Sequence, residues 1–349
     1  MRYLLAPWWI AQLATGAKAF SDNPVLGSRA LNERGLHVAR LKLAHRLARR
    51  RRSRLAALLA APDVEAFERD GFIEKRDFLP PALFAALRAA LLARRAPARE
   101  MIQGDAVTRR FAVDPAALGH VPELRRLVRD PEWRRLIRYA GSFDAEPLIY
   151  VQTILARRYE GAADPQTDLH RDTFHPSVKA WLFLTDVAED EGPFLFVPGS
   201  HRLTGARLRW EYERSLVAPK LDRLSSRGSF RIDERELALL GLPRPRCFAV
   251  PANTLIVADM FGFHARGASA RPSVRCEIWA YGRRNPFLPW IGGDPLSVPG
   301  LAERRAPWLW ALRDRLEPLV GQPWKDVGPL RPLDLQPDRP AEATNRGSS

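Results

Sequence analysis

The residues best suited to chemistry lie in Asp168-Leu169-His170-Arg171-Asp172-Thr173-Phe174-His175-Pro176. On an extended chain successive side chains point to opposite faces, so His170 and Asp172, two apart, project to one side and can share a metal ion. A third ligand is available ninety-four residues on, His264 in Asp259-Met260-Phe261-Gly262-Phe263-His264. Two imidazoles and a carboxylate make the facial set that binds Fe(II) and leaves three positions open for a chelating cosubstrate and O2. A His-x-Asp triplet alone arises by chance; the downstream residues give it weight. Eleven residues beyond His264, Arg275 sits in the alternating run Val274-Arg275-Cys276-Glu277-Ile278. A guanidinium makes two charge-assisted hydrogen bonds to a carboxylate and stays charged when buried, which suits the distal carboxylate of 2-oxoglutarate.

Other histidines compete less well. His175 lies five residues past His170, so a regular strand sends it to the opposite face. His201 is expected to stabilise the turn after Pro198, and His37, His45 and His120 have no metal spacing.

The elements that must position the triad read as strands. Leu148 to Leu155, Trp181 to Val187, Phe194 to Val197, Thr254 to Val257 and Val274 to Tyr281 are rich in β-branched and aromatic residues. Strands in succession, without helical periodicity between them, favour an antiparallel sandwich or barrel over an α/β sheet. Phe67, Phe72, Ile73, Phe78, Leu83, Leu87 and Leu91 suggest a short strand and then a helix after Pro80-Pro81, opening a catalytic domain over residues 63–290. Within it, residues 203–246 carry many arginines and lysines and read as a basic insertion. Residues 291–349 are expected to hold a helix with Trp308, Leu309, Leu312 and Leu316 at helical spacing, then a disordered tail from Pro332.

Residues 1–62 form a basic N-terminal extension. Leu36, Leu41, Ala44, Leu47, Leu55 and Leu58 recur at helical spacing among His45, Arg46, Arg49 to Arg52 and Arg54. This amphipathic helix is either a solvated face packed on the domain or an attachment to an anionic membrane, with Trp8 and Trp9 as interfacial aromatics. The apolar stretch Tyr3 to Leu13, interrupted by Pro7, reads better as an interfacial anchor than as a secretory signal cleaved at Ala17-Lys18-Ala19. The 349 residues carry a formal charge of +15 and 46% hydrophobic residues, enough for a full core and a surface that attracts polyanions. No recognition fold or zinc finger accompanies the arginine run, so no specific nucleic acid is expected. Cys247 and Cys276 are too few for a disulfide framework, and a reducing, cytoplasmic location is expected, with attachment to the inner face of the membrane as an option.

The chain resembles the phytanoyl-CoA dioxygenase family of Fe(II)/2-oxoglutarate oxygenases. The likeness opens at Phe67-Glu68-Arg69-Asp70-Gly71-Phe72-Ile73 with Phe78-Leu79-Pro80 and passes through His170-Arg171-Asp172 and Lys179-Ala180-Trp181-Leu182-Phe183-Leu184-Thr185-Asp186. It continues in Asp190-Glu191-Gly192-Pro193-Phe194-Leu195-Phe196-Val197-Pro198-Gly199-Ser200-His201 and closes on His264 and Arg275. The resemblance implies a mostly β fold with flanking helices, a cupin-like double-stranded β-helix or jelly roll. It implies His170, Asp172 and His264 as iron ligands, Arg275 as anchor of 2-oxoglutarate, Trp181 as a pocket aromatic and Gln152 on a strand facing the cosubstrate. Arg266 stands where a small or hydroxylated residue is expected, which makes Ser273 the substitute for a second contact to the cosubstrate.

The intact carboxylate of Asp172 favours hydroxylation over halogenation, which needs chloride in that place. A zinc hydrolase on the same ligands would lack a general base, and a non-catalytic barrel bound to an anionic surface would leave the triad without purpose. The basic insertion and N-terminus suggest an anionic, membrane-presented substrate. The block Thr15-Gly16-Ala17-Lys18-Ala19-Phe20 through Asn23-Pro24-Val25-Leu26-Gly27-Ser28 and Leu31-Asn32 is similar to bacterial enzymes that hydroxylate the 3-deoxy-octulosonate (Kdo) sugar of lipopolysaccharide, a glycolipid. An acyl-CoA or other small acid is the alternative.

Overall fold

The computed structural model describes residues 5–335, so Tyr3, Leu4 and the tail from residue 336 lie outside the described residues. Among these, eleven strands form: β1 (Phe72–Lys75), β2 (Ala96–Gln103), β3 (Ala106–Ala112), β4 (Leu148–Ala156), β5 (Val178–Phe183), β6 (Phe194–Phe196), β7 (Arg246–Phe248), β8 (Leu255–Asp259), β9 (His264–Arg266), β10 (Ser273–Gly282) and β11 (Lys325–Leu330). They make an eight-stranded sheet, ordered β1-β8-β5-β10-β4-β3-β2-β11, and a three-stranded sheet, β7-β6-β9. His170 extends the smaller sheet through an antiparallel bridge to His264. From β4 onward the chain passes between the sheets: β4 in the larger, His170 in the smaller, β5 back, β6 and β7 across, β8 back, β9 across, β10 back. That alternation is a jelly roll, and it brings the His170 segment beside β9 although ninety-four residues separate the two histidines.

Period-two alternation on β10 shows how the faces are assigned. Cys276, Ile278 and Ala280 are buried against helices outside the larger sheet, in a core with Leu87, Leu124 and Trp133. Trp279 enters the space between the sheets with Trp181, Phe194 and Phe248. The expected strands all form, within a few residues at their ends. The β2–β3 hairpin and β11 carry no such sequence signal: Ala-Arg-Glu-Met in β2 has weak strand preference, and pairing of β3 with β4 supplies the order.

The N-terminal region is not a loose basic extension. In the helix Leu36–Leu55, His37, Arg40, His45, Arg51 and Arg52 are buried. Arg52 pairs with Asp259 at 2.8 Å, and Arg51 donates to the Ser142 carbonyl at 2.9 Å and stacks its guanidinium 3.9 Å from the Phe143 ring centre. Arg51 and Arg52, read as part of a solvated or membrane-facing stripe, are thus taken up by internal acceptors, while Arg46, Arg49, Arg50 and Arg54 on the same helix stay exposed. The expected disordered tail is held at its start: Thr153 Oγ1 donates to the Pro332 carbonyl at 2.9 Å.

Buried imidazoles give the fold an acid limit. His45 packs edge-on to Phe261 at 4.3 Å and His201 edge-on to Phe67 at 5.7 Å. Burial, with nearby Arg52 in second place, lowers the pKa of each to about 3. Both are neutral when folded but take up a proton when unfolded below about pH 6.5. Their contribution is therefore complete above that pH and is lost as pH falls toward 3, by about 1.4 kcal/mol per pH unit for each histidine in the steep part of the window. Guanidinium unfolding at pH 7.5 and 5.0 should show this loss in the wild type and a loss smaller by one histidine's share in His201→Gln; equal stabilities at the two pH values would contradict it.

Candidate metal centre

The triad is assembled by the smaller sheet. His170 and His264 exchange backbone hydrogen bonds, each amide donating to the other's carbonyl at 2.9 Å. Asp172 Oδ1 lies 3.6 Å from Nε2 of both His170 and His264, and one donor atom from each of the three falls within 4.8 Å of the others. Each imidazole is turned by its second nitrogen: His170 Nδ1 lies 2.7 Å from the Asp168 carbonyl and His264 Nδ1 3.0 Å from that of Gly262. A backbone acceptor at Nδ1 fixes the tautomer with Nε2 free to ligate. Nε2 of His264 is buried without a protein partner, the state of a donor atom shaped for a metal ion.

Electrostatics agree. Burial, then the neighbouring His264, lowers the His170 pKa to about 3, so it is an uncharged imidazole at neutral pH. Burial alone would raise Asp172, but Lys179 and then His264 hold it well below the ordinary carboxylate range. Lys179 Nζ sits 2.6 Å from Asp172 Oδ2, leaving Oδ1 toward the imidazoles.

Arg171, between the two ligands in sequence, points the other way and is fully buried. It donates to Glu211 through Nε at 2.6 Å and Nη2 at 2.7 Å, and lies 4.3 Å over the Phe230 ring. Glu211 belongs to the expected basic insertion and also meets His37 at 2.9 Å and Arg207 at 3.2 Å. The insertion is therefore the support of the metal strand rather than a solvated basic loop: Arg171 N donates to Phe230 O at 3.0 Å and Ile232 N to Leu169 O at 2.9 Å, covering the strand's free edge.

The triad opens into a cavity of about 360 Å³ lined also by Gln152, Trp181, Phe194, Arg275 and Trp279. Trp181 packs against Phe194 with ring centres 4.3 Å apart and planes tilted by 32°. Gln152 Nε2 donates to Glu277 at 2.7 Å and its Oε1 accepts from Arg110 Nε at 2.8 Å. Arg275 Nε donates to Glu277 at 2.9 Å and Nη1 to the Gly192 carbonyl, leaving Nη2 and the second Nη1 proton to donate elsewhere. Ser273, expected as a second contact, does not line the cavity; its hydroxyl lies 3.0 Å from that of Ser269, in the loop after β9. Arg266 lines the wall in its place, paired with Asp164. His175 and His201 take no part in the cluster.

Sequence reasoning passed over several charged groups here. Lys179 shares a face with Trp181, and Glu277 with Arg275, so two-residue alternation contained both. Arg110, 4.0 Å over Trp279 and 4.3 Å over Trp324, required knowledge of β3. Lys18 required the fold of the N-terminal segment: Arg40 binds the carbonyls of Leu13 at 3.0 Å and of Thr15 and Ala17 at 2.8 Å, and Lys18 Nζ then reaches the Asp172 carbonyl and, at 2.8 Å, Ser229 Oγ. Gly228, at φ +85°, makes room, because a Cβ there would meet the Lys18 carbonyl at 2.2 Å. Burial lowers the Lys18 pKa to about 7, against the opposing pull of Asp172.

The family profile of phytanoyl-CoA dioxygenase matches residues 67–223, a stretch that contains His170 and Asp172. Over these residues the chain is similar to the phytanoyl-CoA dioxygenase family. The chain is 31% identical over 188 residues to an ectoine dioxygenase of Bordetella bronchiseptica and 32% identical to one of Bordetella parapertussis. Each alignment takes in 47% of this chain, which spans 58% of the length of those relatives. Among solved structures, the epimerase SnoN with Fe3+, alpha ketoglutarate and nogalamycin RO is similar at 23% identity and TM-score 0.44, over 69% of this chain and 93% of that one. HygX of Streptomyces hygroscopicus, with nickel, 2-oxoglutarate and hygromycin B, is similar at 16% identity and TM-score 0.38, over 64% and 87%. The third member of the triad, His264, comes from beyond the matched stretch and is delivered by β9.

Proposed function

We propose that the chain is an Fe(II)/2-oxoglutarate-dependent oxygenase that hydroxylates a small anionic substrate. The observation carrying this is the buried His170, Asp172 and His264 cluster, with the unpartnered Nε2 of His264, on the wall of a cavity that also holds Arg275. Iron, when bound with 2-oxoglutarate and O2, supplies the oxidising power for C–H hydroxylation, the cosubstrate leaving as succinate and CO2. His170, Asp172 and His264 would hold the ion, and Lys179 keeps Asp172 ionised and oriented. Arg275 takes the distal carboxylate of 2-oxoglutarate, with Glu277 and Gln152 fixing its plane. Trp181, Phe194 and Trp279 exclude water from one wall.

The substrate's charge is read from the lining. Lys18, Arg110, Lys179, Arg266, Arg275 and Arg283 face the cavity, and Asp172 is its one carboxylate among the described residues. Arg110 has no carboxylate partner among them either; burial lowers its pKa to about 10, still charged at neutral pH. An acid sugar such as Kdo is the finer reading, supported by the likeness of the block around Lys18, which the fold carries to the cavity. A free organic acid or acyl-CoA is the alternative, and the name of the ectoine dioxygenase relatives favours a free small molecule. The lining offers no second carboxylate as general base, which counts against a zinc hydrolase.

The test is O2-dependent succinate formation from 2-oxoglutarate by anaerobically purified, Fe(II)-loaded protein. Arg275→Lys should raise the KM for 2-oxoglutarate about 10- to 100-fold with kcat little changed, the cost of one or two charge-assisted hydrogen bonds. Zinc in the site with no bound 2-oxoglutarate would sink the reading, and an unchanged KM would remove Arg275 from its role.

A further inference from the structure

The helix Arg305–Arg315 is anchored by one face only. Ala306 is buried, Trp310 packs on Tyr150 at 5.5 Å, and Arg305 donates to the carbonyls of Glu146 at 2.7 Å and Pro147 at 2.8 Å. The opposite face leaves Trp308 51%, Leu309 42% and Leu312 54% exposed, so the periodic apolar stripe faces solvent rather than a core. Exposed apolar groups gathered in this way mark an interaction surface.

Its position ties it to the site. Trp308 and Leu309 line a mostly apolar cavity of about 370 Å³, with Phe143 and Leu296. Tyr281 and Arg283 belong to the walls of both this cavity and the metal-site cavity. On the other side of Arg283 and Arg284, Trp8 and Ala11 border a third hollow. Trp8 is 62% exposed and Ile10 58%. Two tryptophan-bearing helices thus flank an arginine pair. Arg283 bonds the Gly16 carbonyl and Arg284 that of Gly292 at 3.0 Å, and neither has a carboxylate partner among the described residues.

We infer that this face, carrying Trp8, Arg283, Arg284, Trp308, Leu309 and Leu312, docks on an anionic bilayer and sets the metal-site cavity against the lipid headgroups. Tryptophan side chains lodge at the headgroup boundary, leucines enter the acyl region, and unpaired arginines meet phosphates. The net charge of +15 adds long-range attraction to an anionic surface. The apolar cavity next to the site then receives the chain of an amphiphile whose acidic head enters the cationic cavity. The basic helix Leu36–Leu55 keeps Arg46, Arg49, Arg50 and Arg54 exposed and adds to the long-range attraction, but it carries no tryptophan to lodge at the headgroup boundary. Docking requires no metal and no turnover, so it succeeds or fails separately from the oxygenase reading.

Cosedimentation of the full chain with vesicles of phosphatidylcholine alone, and of phosphatidylcholine with an equal part of phosphatidylglycerol, tests the inference. The wild type should sediment with the anionic vesicles, less so as salt rises. Trp308→Glu with Leu312→Glu should lower partitioning about tenfold or more, as should Trp8→Glu on the separate N-terminal helix, with melting temperature retained; Leu239→Glu, an exposed leucine outside the face, should not. Equal partitioning of wild type and both face variants would overturn the proposal. So would a wild type that ignores both vesicles, and if it also dimerises while the double variant is monomeric, the face belongs to a second copy of the chain.

Discussion

His264→Ala should leave a folded protein that no longer retains Fe(II) and releases less than about one hundredth of the wild-type succinate, since loss of even an outer-shell partner of a metal ligand costs about 10- to 100-fold. The large effect comes from the way the site is built. His264 Nε2 is a buried nitrogen without a protein partner, and its neighbours are already committed: Asp172 to Lys179 at 2.6 Å, His170 Nδ1 to the Asp168 carbonyl at 2.7 Å. His175 does not replace it, because it lies outside the ligand cluster and does not line the cavity. The fold should tolerate the change, since the β9 pairing with His170 is made by backbone groups that alanine keeps. Metal content after dialysis, read beside circular dichroism, checks both parts. Stoichiometric iron in the variant would show that the ion is held elsewhere.

Glu211→Ala is expected to destabilise the chain by about 3–5 kcal/mol, the range found when one partner of a buried ion pair is removed. Glu211 is fully buried and faces Arg171, Arg207 and His37. Without it, two buried guanidinium groups face each other uncompensated. Burial would raise its pKa, but Arg171 first and then His37 overturn that and leave it well below the ordinary value. A carboxylate depressed in this way contributes fully above its unfolded pKa of about 4.3, and the contribution is lost as pH falls below it. The deficit of Glu211→Ala relative to wild type should therefore be largest at neutral pH and shrink below pH 4. Denaturant midpoints across that range measure it, and a variant as stable as wild type at pH 7 would show that the cluster is not what holds the metal strand.

Much of the site could be read from local pattern. His170 and Asp172 share a face because strand side chains alternate, and Trp181 and Gln152, expected from the family resemblance, do line the cavity. An antiparallel sandwich or barrel was legible in the succession of apolar strands, and the resemblance to a known family narrowed it to a jelly roll. What escaped were groups whose neighbours are distant in sequence: Lys18, delivered by Arg40; Arg110, on a hairpin with weak strand preference; and Glu211, in a stretch whose arginines read as surface charge.

The sequence by itself determined the ligand types, their two-residue spacing, the strand alternation that aims them and the net positive charge, all of which depend on covalent order and local backbone geometry. Only the tertiary structure decided which charges are buried and which apolar residues are not. Arg51, Arg52 and Arg171 found internal carbonyls and carboxylates and turned inward, while Trp308 and Leu312, with the helix already anchored through Ala306 and Trp310, were left facing out. Hydropathy records what a side chain prefers in water; its place in the fold depends on which partners the packed chain brings within reach.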